Sequence, residues 1–299
     1  MTVKDVMKRA IDTLKGACIE TPTVDAGVML CHVLNCDRTY IYTHVEYELN
    51  EDEFKKFNAC ISRRAEGIPV QYITGHQEFM SLDFKVVPEV LIPRHDTEIL
   101  VESVIRHTKA LQHSCEETCP GNMPWLNILD IGTGSGCIAV SLAFYIRQSR
   151  IKAVDISEKA LEIALNNAVN AGVGDRIEFV KGDILSEHFS AAASSPRFDI
   201  IVSNPPYIPQ SDILGLQKEV RDFEPTSALN GGADGLDFYR AIVKNAAFLL
   251  KPQGLLAFEV GLNQADDVIM LMGRQYYDIG VTRDLAHISR VVTGRMRVQ

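Results

Sequence analysis

Between Leu126 and Ala143 the sequence changes period with no loop in between. Leu126-Asn-Ile-Leu-Asp-Ile131 is an apolar run of strand length, Gly132-Thr133-Gly134-Ser135-Gly136 follows at once, and Cys137-Ile-Ala-Val-Ser-Leu-Ala143 opens helical spacing. A strand that passes through a glycine turn straight into a helix commits this part of the chain to an α/β arrangement. Glycines permit positive φ and let a ligand approach the backbone closely. The N-terminus of the following helix offers free N–H groups and a partial positive charge, suited to a carboxylate or phosphate. The spacing is G-x-G-x-G, which departs from the G-x-G-x-x-G of dinucleotide-binding turns.

The pattern then repeats. A second strand, Ile151-Lys-Ala-Val-Asp155, ends in an acid placed to accept the two hydroxyls of a ribose. Ser157 is a good N-cap for a helix running to Ala171, with Gly172 as its stop. A third strand, Ile177-Glu-Phe-Val180, leads into Lys181-Gly182-Asp183, where Asp183 could accept from an adenine amine with Ile184 against the ring. Either acid alone reads equally well as a cap or turn residue; in order, at successive strand ends, they point to one nucleoside site. A fourth strand, Phe198-Asp-Ile-Ile-Val-Ser203, a helix capped by Asp237 and ending before Pro252, and late strands at Leu255–Glu259 and Arg290–Thr293 complete the alternation. From about residue 88 onward this predicts a doubly wound, mostly parallel sheet, with ligands outside the carboxyl ends of its strands.

The fourth strand ends in Asn204-Pro205-Pro206-Tyr207. Pro205 pushes Asn204 toward extended geometry, and both prolines have fixed φ. The Asn204 side-chain oxygen and the Pro205 carbonyl can each accept one N–H of the same nitrogen, with Tyr207 as a flat lid. Such a corner suits a planar group bearing NH2, either a carboxamide or the exocyclic amine of a base.

Taken in order, Asp-x-Gly-x-Gly-x-Gly, an acid, Gly-Asp and Asn-Pro-Pro-Tyr resemble the S-adenosylmethionine-dependent methyltransferases that modify planar nitrogen. Further segments resemble the peptide chain release factor glutamine methyltransferases, the HemK/PrmC group. These are Pro69-Val-Gln-Tyr-Ile-Thr-Gly-His-Gln-Glu-Phe79, Val90-Leu-Ile-Pro-Arg-His-Asp-Thr-Glu98, Phe223-Glu-Pro-Thr-Ser-Ala-Leu-Asn-Gly-Gly-Ala-Asp-Gly-Leu-Asp237 and Phe258-Glu-Val-Gly261. The resemblance spans nearly the whole chain. It implies a Rossmann-like methyltransferase fold and transfer of methyl from S-adenosylmethionine to the glutamine N5 of the Gly-Gly-Gln motif in class I release factors. By the same resemblance Gly132, Thr133, Gly134, Ser135, Gly136, Asp155, Asp183, Ile184 and Asn204 hold the cofactor. Asn204, Pro205, Pro206 and Tyr207 meet the substrate, and Asn204, Pro205 and Tyr207 carry catalysis. His95-Asp96 stands where the group has Pro-Glu, and Cys115–Trp125 and Ser190–Pro196 read as lengthened loops. Two alternatives stay open on residues alone: methylation of a base amine in DNA or ribosomal RNA, and a non-catalytic binder that keeps the cofactor fold.

Composition bears on that choice. The chain has 299 residues, enough for a full domain plus a smaller one, and a net charge of −9. An enzyme that grips nucleic acid gains affinity from a basic surface, so an acidic balance favours a protein partner with a basic face. Residues 1 to about 66 carry helical spacing: a stripe of Val3, Val6, Met7, Ala10, Ile11 and Leu14, a second after Pro22 with Val24, Val28, Leu30, Val33 and Leu34, and a third over Glu51–Glu66 closed by Gly67. Alternation over residues 71–87 suggests a β-hairpin. The expected organisation is a helical substrate-recognition domain (1–68), a hairpin linker (69–88) and a catalytic domain (89–299). Asp5 and Asp12 argue against a transit peptide, and no apolar run approaches membrane-spanning length. An odd set of seven scattered cysteines reads as reduced thiols in a cytoplasmic setting, and a monomer is the default expectation. His113, Cys115 and Cys119 lack a fourth ligand nearby, so no metal is expected. No role in catalysis is expected of His76, His95 or His107.

Overall fold

The computed structural model describes residues 1–118, 125–187, 189 and 197–298, with side chains described outside 110–118. The chain divides into two units, Met1–His76 with Gln217–Phe223, and Gln77–Leu216 with Glu224–Gln299.

The first unit is helical: α1 (Val3–Gly16), α2 (Pro22–Leu34), α3 (Arg38–Thr43), α4 (Glu51–Ala65) and α5 (Val70–Thr74). Both long amphipathic helices start from capping boxes, Thr2 with Asp5 and Asn50 with Glu53, each satisfying two orphan donors. The α1 stripe buries Val3, Val6, Ala10 and Leu14 as its spacing requires. The α2 stripe is turned from the expected one. Val24 is exposed, and the inward face is Asp25, Ala26, Gly27, Met29 and Leu30. Asp25 draws that face inward because it has a buried partner. Arg64 Nε donates to its Oδ2 at 2.7 Å, and Arg64 also donates at 2.5 Å to Glu219 and at 3.3 Å to the Ile68 carbonyl. The expected alternation over 71–87 yields strands only in its second half. Thr74 bonds back to the Val70 carbonyl, and Gly75, at φ +82°, closes α5 before the hairpin β1 (His76–Phe79) and β2 (Leu82–Lys85) begins.

The second unit continues with α6 (His95–Thr118), β3 (Leu126–Ile131), α7 (Cys137–Tyr145), β4 (Ser149–Asp155), α8 (Glu158–Asn170), β5 (Ile177–Lys181) and β6 (Phe198–Ser203). After α9 (Lys218–Phe223), which belongs to the first unit, come α10 (Asp237–Leu249), β7 (Leu250–Glu259), α11 (Ala265–Met272), β8 (Tyr276–Arg283) and β9 (Ser289–Met296). One seven-stranded sheet has the order β5-β4-β3-β6-β7-β9-β8. Its first five strands are parallel, while β9 runs antiparallel to both β7 and β8. The parallel strands are apolar on both faces, with Ile128, Ile200 and Leu255 in one core layer and Leu129, Ile201 and Leu256 in the other. The chain winds outward from β3 through β4 to β5 and returns to β6 on the other side of β3, so strand order reverses between β3 and β6. That is where a doubly wound sheet opens a crevice.

Three local readings need correction. Residues Cys115–Thr118, expected in a loop, continue α6; the rest of that loop, 119–124, and the segment Ser190–Pro196 lie outside the described residues. Asp237 is the first residue of α10 and makes no cap bond, its neighbour Leu236 holding the cap position. The edge strand β8 has no counterpart in the sequence reading.

Candidate functional site

Four parallel strand ends converge on one cavity of about 470 Å³, within the range of small-ligand sites. From β3 come Gly132 and Gly134, from β4 Asp155, from β5 Asp183 and Ile184, and from β6 Asn204, Pro205 and Pro206. The sheet brings these together because each lies one to three residues past its strand, or at its last residue, and the strands are adjacent and in register. Four other expected residues, Thr133, Ser135, Gly136 and Tyr207, do not line the cavity.

The glycine turn shows why. Gly132 and Gly134 have φ of +75° and +54°, and a Cβ at either would meet no atom within 4 Å, projecting into open space. At Gly136, φ +82°, a Cβ would lie 2.9 Å from the Ala164 Cβ, so this glycine serves the close approach of α7 to α8 rather than a ligand. The Thr133 hydroxyl turns away to donate to Asp130 Oδ2 at 2.6 Å, and the Ser135 carbonyl accepts from Asn167 Nδ2 at 2.9 Å. Asn167 also bonds both backbone groups of Lys85, so one buried amide pins the turn to the end of β2. Asp130 is fully buried with one oxygen, Oδ1, lacking a hydrogen-bond partner; burial pushes its carboxyl up to about 7 against the pull of the Thr133 hydroxyl.

Asp155 holds the turn from the other side. Its Oδ2 accepts from the Gly134 N–H at 2.8 Å and its Oδ1 from the Ser157 N–H at 2.9 Å. Burial raises this carboxyl above the usual carboxylate range, although those N–H groups pull it down. Carboxylate oxygens have about four lone-pair sites, so both can still accept from a ligand. The Asp183 Oδ1 accepts from the Leu185 N–H at 2.9 Å, which shapes the turn carrying Ile184 into the cavity wall.

The Asn-Pro-Pro-Tyr corner is strapped to the segment Leu229–Gly235. The Ile208 N–H donates to the Leu229 carbonyl at 3.0 Å, the Ile208 carbonyl accepts from the Gly231 N–H at 2.9 Å, and the Gln210 N–H donates to the Gly232 carbonyl at 2.9 Å. A Cβ on Gly235 would fall 2.4 Å from the Tyr207 carbonyl oxygen, so only glycine fits beneath the corner. Gln264 donates to the Tyr207 carbonyl at 2.9 Å and accepts from the Gly261 N–H at 3.1 Å. The Tyr207 ring rests against Gly261, and burial pushes its phenol up to about 12. Tyr207 therefore anchors the corner instead of covering the cavity. Asn204 is half-buried, and its Nδ2 donates to the Thr97 hydroxyl at 3.1 Å; among the described residues no hydrogen bond reaches its Oδ1. Arg94 bonds the buried Glu224 at 2.5 Å, tying the segment before α6 to the loop that supplies Pro225 and Thr226 to the cavity.

Sequence reasoning gave no role to the residues behind this surface: Asp130, Asn167, Gln264, Thr97 and Glu259. Asp130 opens the quoted Asp-x-Gly-x-Gly-x-Gly motif, and Glu259 and Thr97 lie inside quoted family-like segments, which was the signal available for these three.

The cavity residues fit S-adenosylmethionine. Open space over Gly132 and Gly134 leaves room for a ligand against bare backbone, and the carboxylates of Asp155 and Asp183, which have no salt-bridge partner among the described residues, suit hydroxyl and amine donors beside a cationic sulfonium.

Comparison with known proteins agrees with this geometry. Residues 5–75 match the family described as PrmC N-terminal domain, and residues 124–273 match a methyltransferase domain family. The release factor glutamine methyltransferase of Koribacter versatilis is 41% identical over 295 residues, 99% of each chain. That of Moorella thermoacetica is 43% identical over 268 residues, covering 90% of this chain and 88% of the relative. Among solved structures, the hMettl16 catalytic domain in complex with the MAT2A 3′UTR hairpin 6 aligns with a TM-score of 0.50 over 82% of each chain at 15% identity, a likeness of fold alone. With its α/β sheet, its cavity at the strand-order reversal and near full-length relatives at this identity, the chain belongs to the release factor glutamine methyltransferase family.

Proposed function

We propose that this enzyme methylates the side-chain amide nitrogen of the glutamine in the Gly-Gly-Gln motif of class I release factors, with Asn204 and Pro205 as the groups that receive that amide. The observation that carries the reading is the single cavity in which Gly132, Gly134, Asp155 and Asp183 share a wall with Asn204, Pro205 and Pro206. When bound, S-adenosylmethionine supplies a methyl group already activated as a sulfonium. Gly132 and Gly134 would give it bare backbone to lie against, Asp155 and Asp183 would accept from its hydroxyls and amine, and Ile184 would pack on its ring.

A carboxamide nitrogen is a poor nucleophile because its lone pair is delocalised into the carbonyl. What remains for the protein is alignment and charge placement. Asn204 Oδ1 and the Pro205 carbonyl each accept one N–H of the substrate amide. As the nitrogen bonds to carbon it gains positive character, its N–H groups become stronger donors, and these two acceptors hold the transition state more tightly than the ground state. The corner is rigid through its prolines and through the Gln264 and Leu229–Gly235 straps, so little motion is lost on binding. No general base is needed, since the nitrogen sheds its proton readily after transfer.

An acidic chain, net charge −9, gives no basis for a stable grip on nucleic acid, and supports a monomer acting on a protein with a basic face. The free thiols of Cys18, Cys31, Cys36, Cys60 and Cys137 suit a reducing, cytoplasmic setting. Among the described residues no helix is long and apolar enough to cross a membrane. The test is transfer of labelled methyl from S-adenosylmethionine to release factor, DNA and ribosomal RNA in parallel. Label is expected in release factor and lost when its Gly-Gly-Gln glutamine is replaced; label in nucleic acid alone overturns the reading.

A further inference from the structure

Behind the Asn-Pro-Pro-Tyr corner lies a polar chain that neither the cavity nor the strand ends account for. Asn204 Nδ2 donates to the Thr97 hydroxyl at 3.1 Å. Thr97, in the first turn of α6 and 2% exposed, stands beside the carboxyl of Glu259 at the end of β7, and its hydroxyl favours the ionised form of that acid. Glu259 is 3% exposed, forms no salt bridge among the described residues, and its Oε2 has no hydrogen-bond partner there. Holding a carboxyl in such a place costs free energy.

The two ends of an asparagine amide have nearly the same shape, so only its hydrogen bonds decide which end faces the cavity. An ionised carboxylate only accepts. The single Thr97 proton must then point at Glu259, leaving an oxygen lone pair toward Asn204 that only an NH2 group can meet. Oδ1 is thereby turned to the substrate. Were Glu259 to carry a proton or an amide, it could donate to Thr97. The hydroxyl could then donate to Asn204 Oδ1, turning two N–H donors toward the substrate's own N–H groups.

We infer that Thr97 and Glu259 are positioning residues for methyl transfer, a relay whose polarity fixes the Asn204 amide with its acceptor oxygen toward the substrate nitrogen. This rests on the proposed role of Asn204. The surroundings of Glu259 make the relay sensitive to protons. The charges and titratable groups that act on it are Arg94, Asp96, Tyr207, Arg290, Cys137 and Tyr239, and burial outweighs the two arginines, raising its carboxyl to about 7.

The test measures kcat, KM for both substrates, thermal midpoint and the pH profile of kcat for wild type, Thr97→Val, Thr97→Ser, Glu259→Gln and Asn204→Ala. Thr97→Val and Glu259→Gln should lower kcat on the order of 10–100-fold, less than loss of the acceptor itself, with KM for S-adenosylmethionine unchanged. Thr97→Ser, which keeps the hydroxyl, should restore the wild-type rate. Wild-type kcat should rise with pH through the titration of Glu259, and that limb should vanish in Glu259→Gln. If Thr97→Val and Glu259→Gln keep full kcat while Asn204→Ala loses it, the relay is wrong and the Asn204 reading stands. If Thr97→Ser is as slow as Thr97→Val, Thr97 acts by packing and the relay is equally overturned. Full activity in Asn204→Ala removes both.

Discussion

Both units pair buried charge, Arg64 with Asp25 in one and Arg94 with Glu224 in the other, but among the described residues only the catalytic unit also buries acids that have no salt bridge. In the helical unit Arg64, 4% exposed, lies between Asp25 and Glu219, so cation and anions answer each other. In the catalytic unit Asp130, Asp155 and Glu259 are buried or nearly so and have no salt bridge among the described residues; their carboxyls are displaced upward by burial. A buried charge with a bonded partner holds elements together. Buried acids without one gather where a ligand or a reaction uses them. Here they ring the strand ends, while the paired triad stands in a unit that has no part in the cavity's lining.

The largest effect that could break this contrast is on stability. Arg64→Ala leaves Asp25 buried and uncompensated, and should cost about 3–5 kcal/mol in denaturant unfolding; a loss below about 1 kcal/mol would mean the triad is no structural tie. Next is Asn204→Ala, expected to cut turnover on the order of 10²–10³ while leaving cofactor affinity and the melting midpoint nearly unchanged. Retained turnover would separate the unpaired acids from any chemistry. Gly136→Ala and Gly134→Ala then divide the glycine turn. The first drives a Cβ against Ala164 and should cost about 1–3 kcal/mol of stability. The second projects into the cavity and should mainly weaken S-adenosylmethionine binding by calorimetry. Asp155→Ala should weaken the same binding, and an unchanged dissociation constant would remove Asp155 from the site.

The smallest effect concerns pH. Asp130 and Glu259 have folded values raised to about 7 from 3.8 and 4.5. The folded state therefore holds protons that the unfolded chain releases. The stability these groups contribute is full below about pH 4 and is lost as pH rises toward and through 7. Glu259→Gln should flatten that decline between pH 4 and 7 in chemical denaturation; an unaltered slope would mean the carboxyl is not held protonated by burial.

The strand-turn-helix units were legible because period and punctuation agree there: apolar β3 and β6, the Gly132–Gly136 turn, and Ser157 capping α8 with its side chain on the Ala160 N–H. Short helices were not. The six residues of α3 and five of α5 are too few to show a period, and α5 was read as strand because Tyr72 and Ile73 are apolar neighbours. Edge strand β8 escaped notice because its exposed, interrupted pattern carries Asp278 at φ +51° and a register shift beside it. At the site, residues that touch the cavity announce themselves at strand ends. Those that hold them, such as Thr97 for Asn204 and Gln264 for Tyr207, are joined across 107 and 57 positions, and no local pattern encodes such a pairing.

Glu219, in the stretch Gln217–Phe223, completes a helical unit whose remaining residues lie before residue 77. On the ribosome, where domains emerge from the N-terminus at about 5–20 residues per second, Arg64 must wait roughly 8–30 s for this partner, 155 residues on, to be synthesised. The amino-terminal helices thus remain unfinished until most of the sheet's parallel strands have left the exit tunnel. A gene fragment stopping at His76 would encode a unit with its central ion cluster incomplete, so swapping such units between relatives requires exchanging the distant Gln217–Phe223 stretch as well.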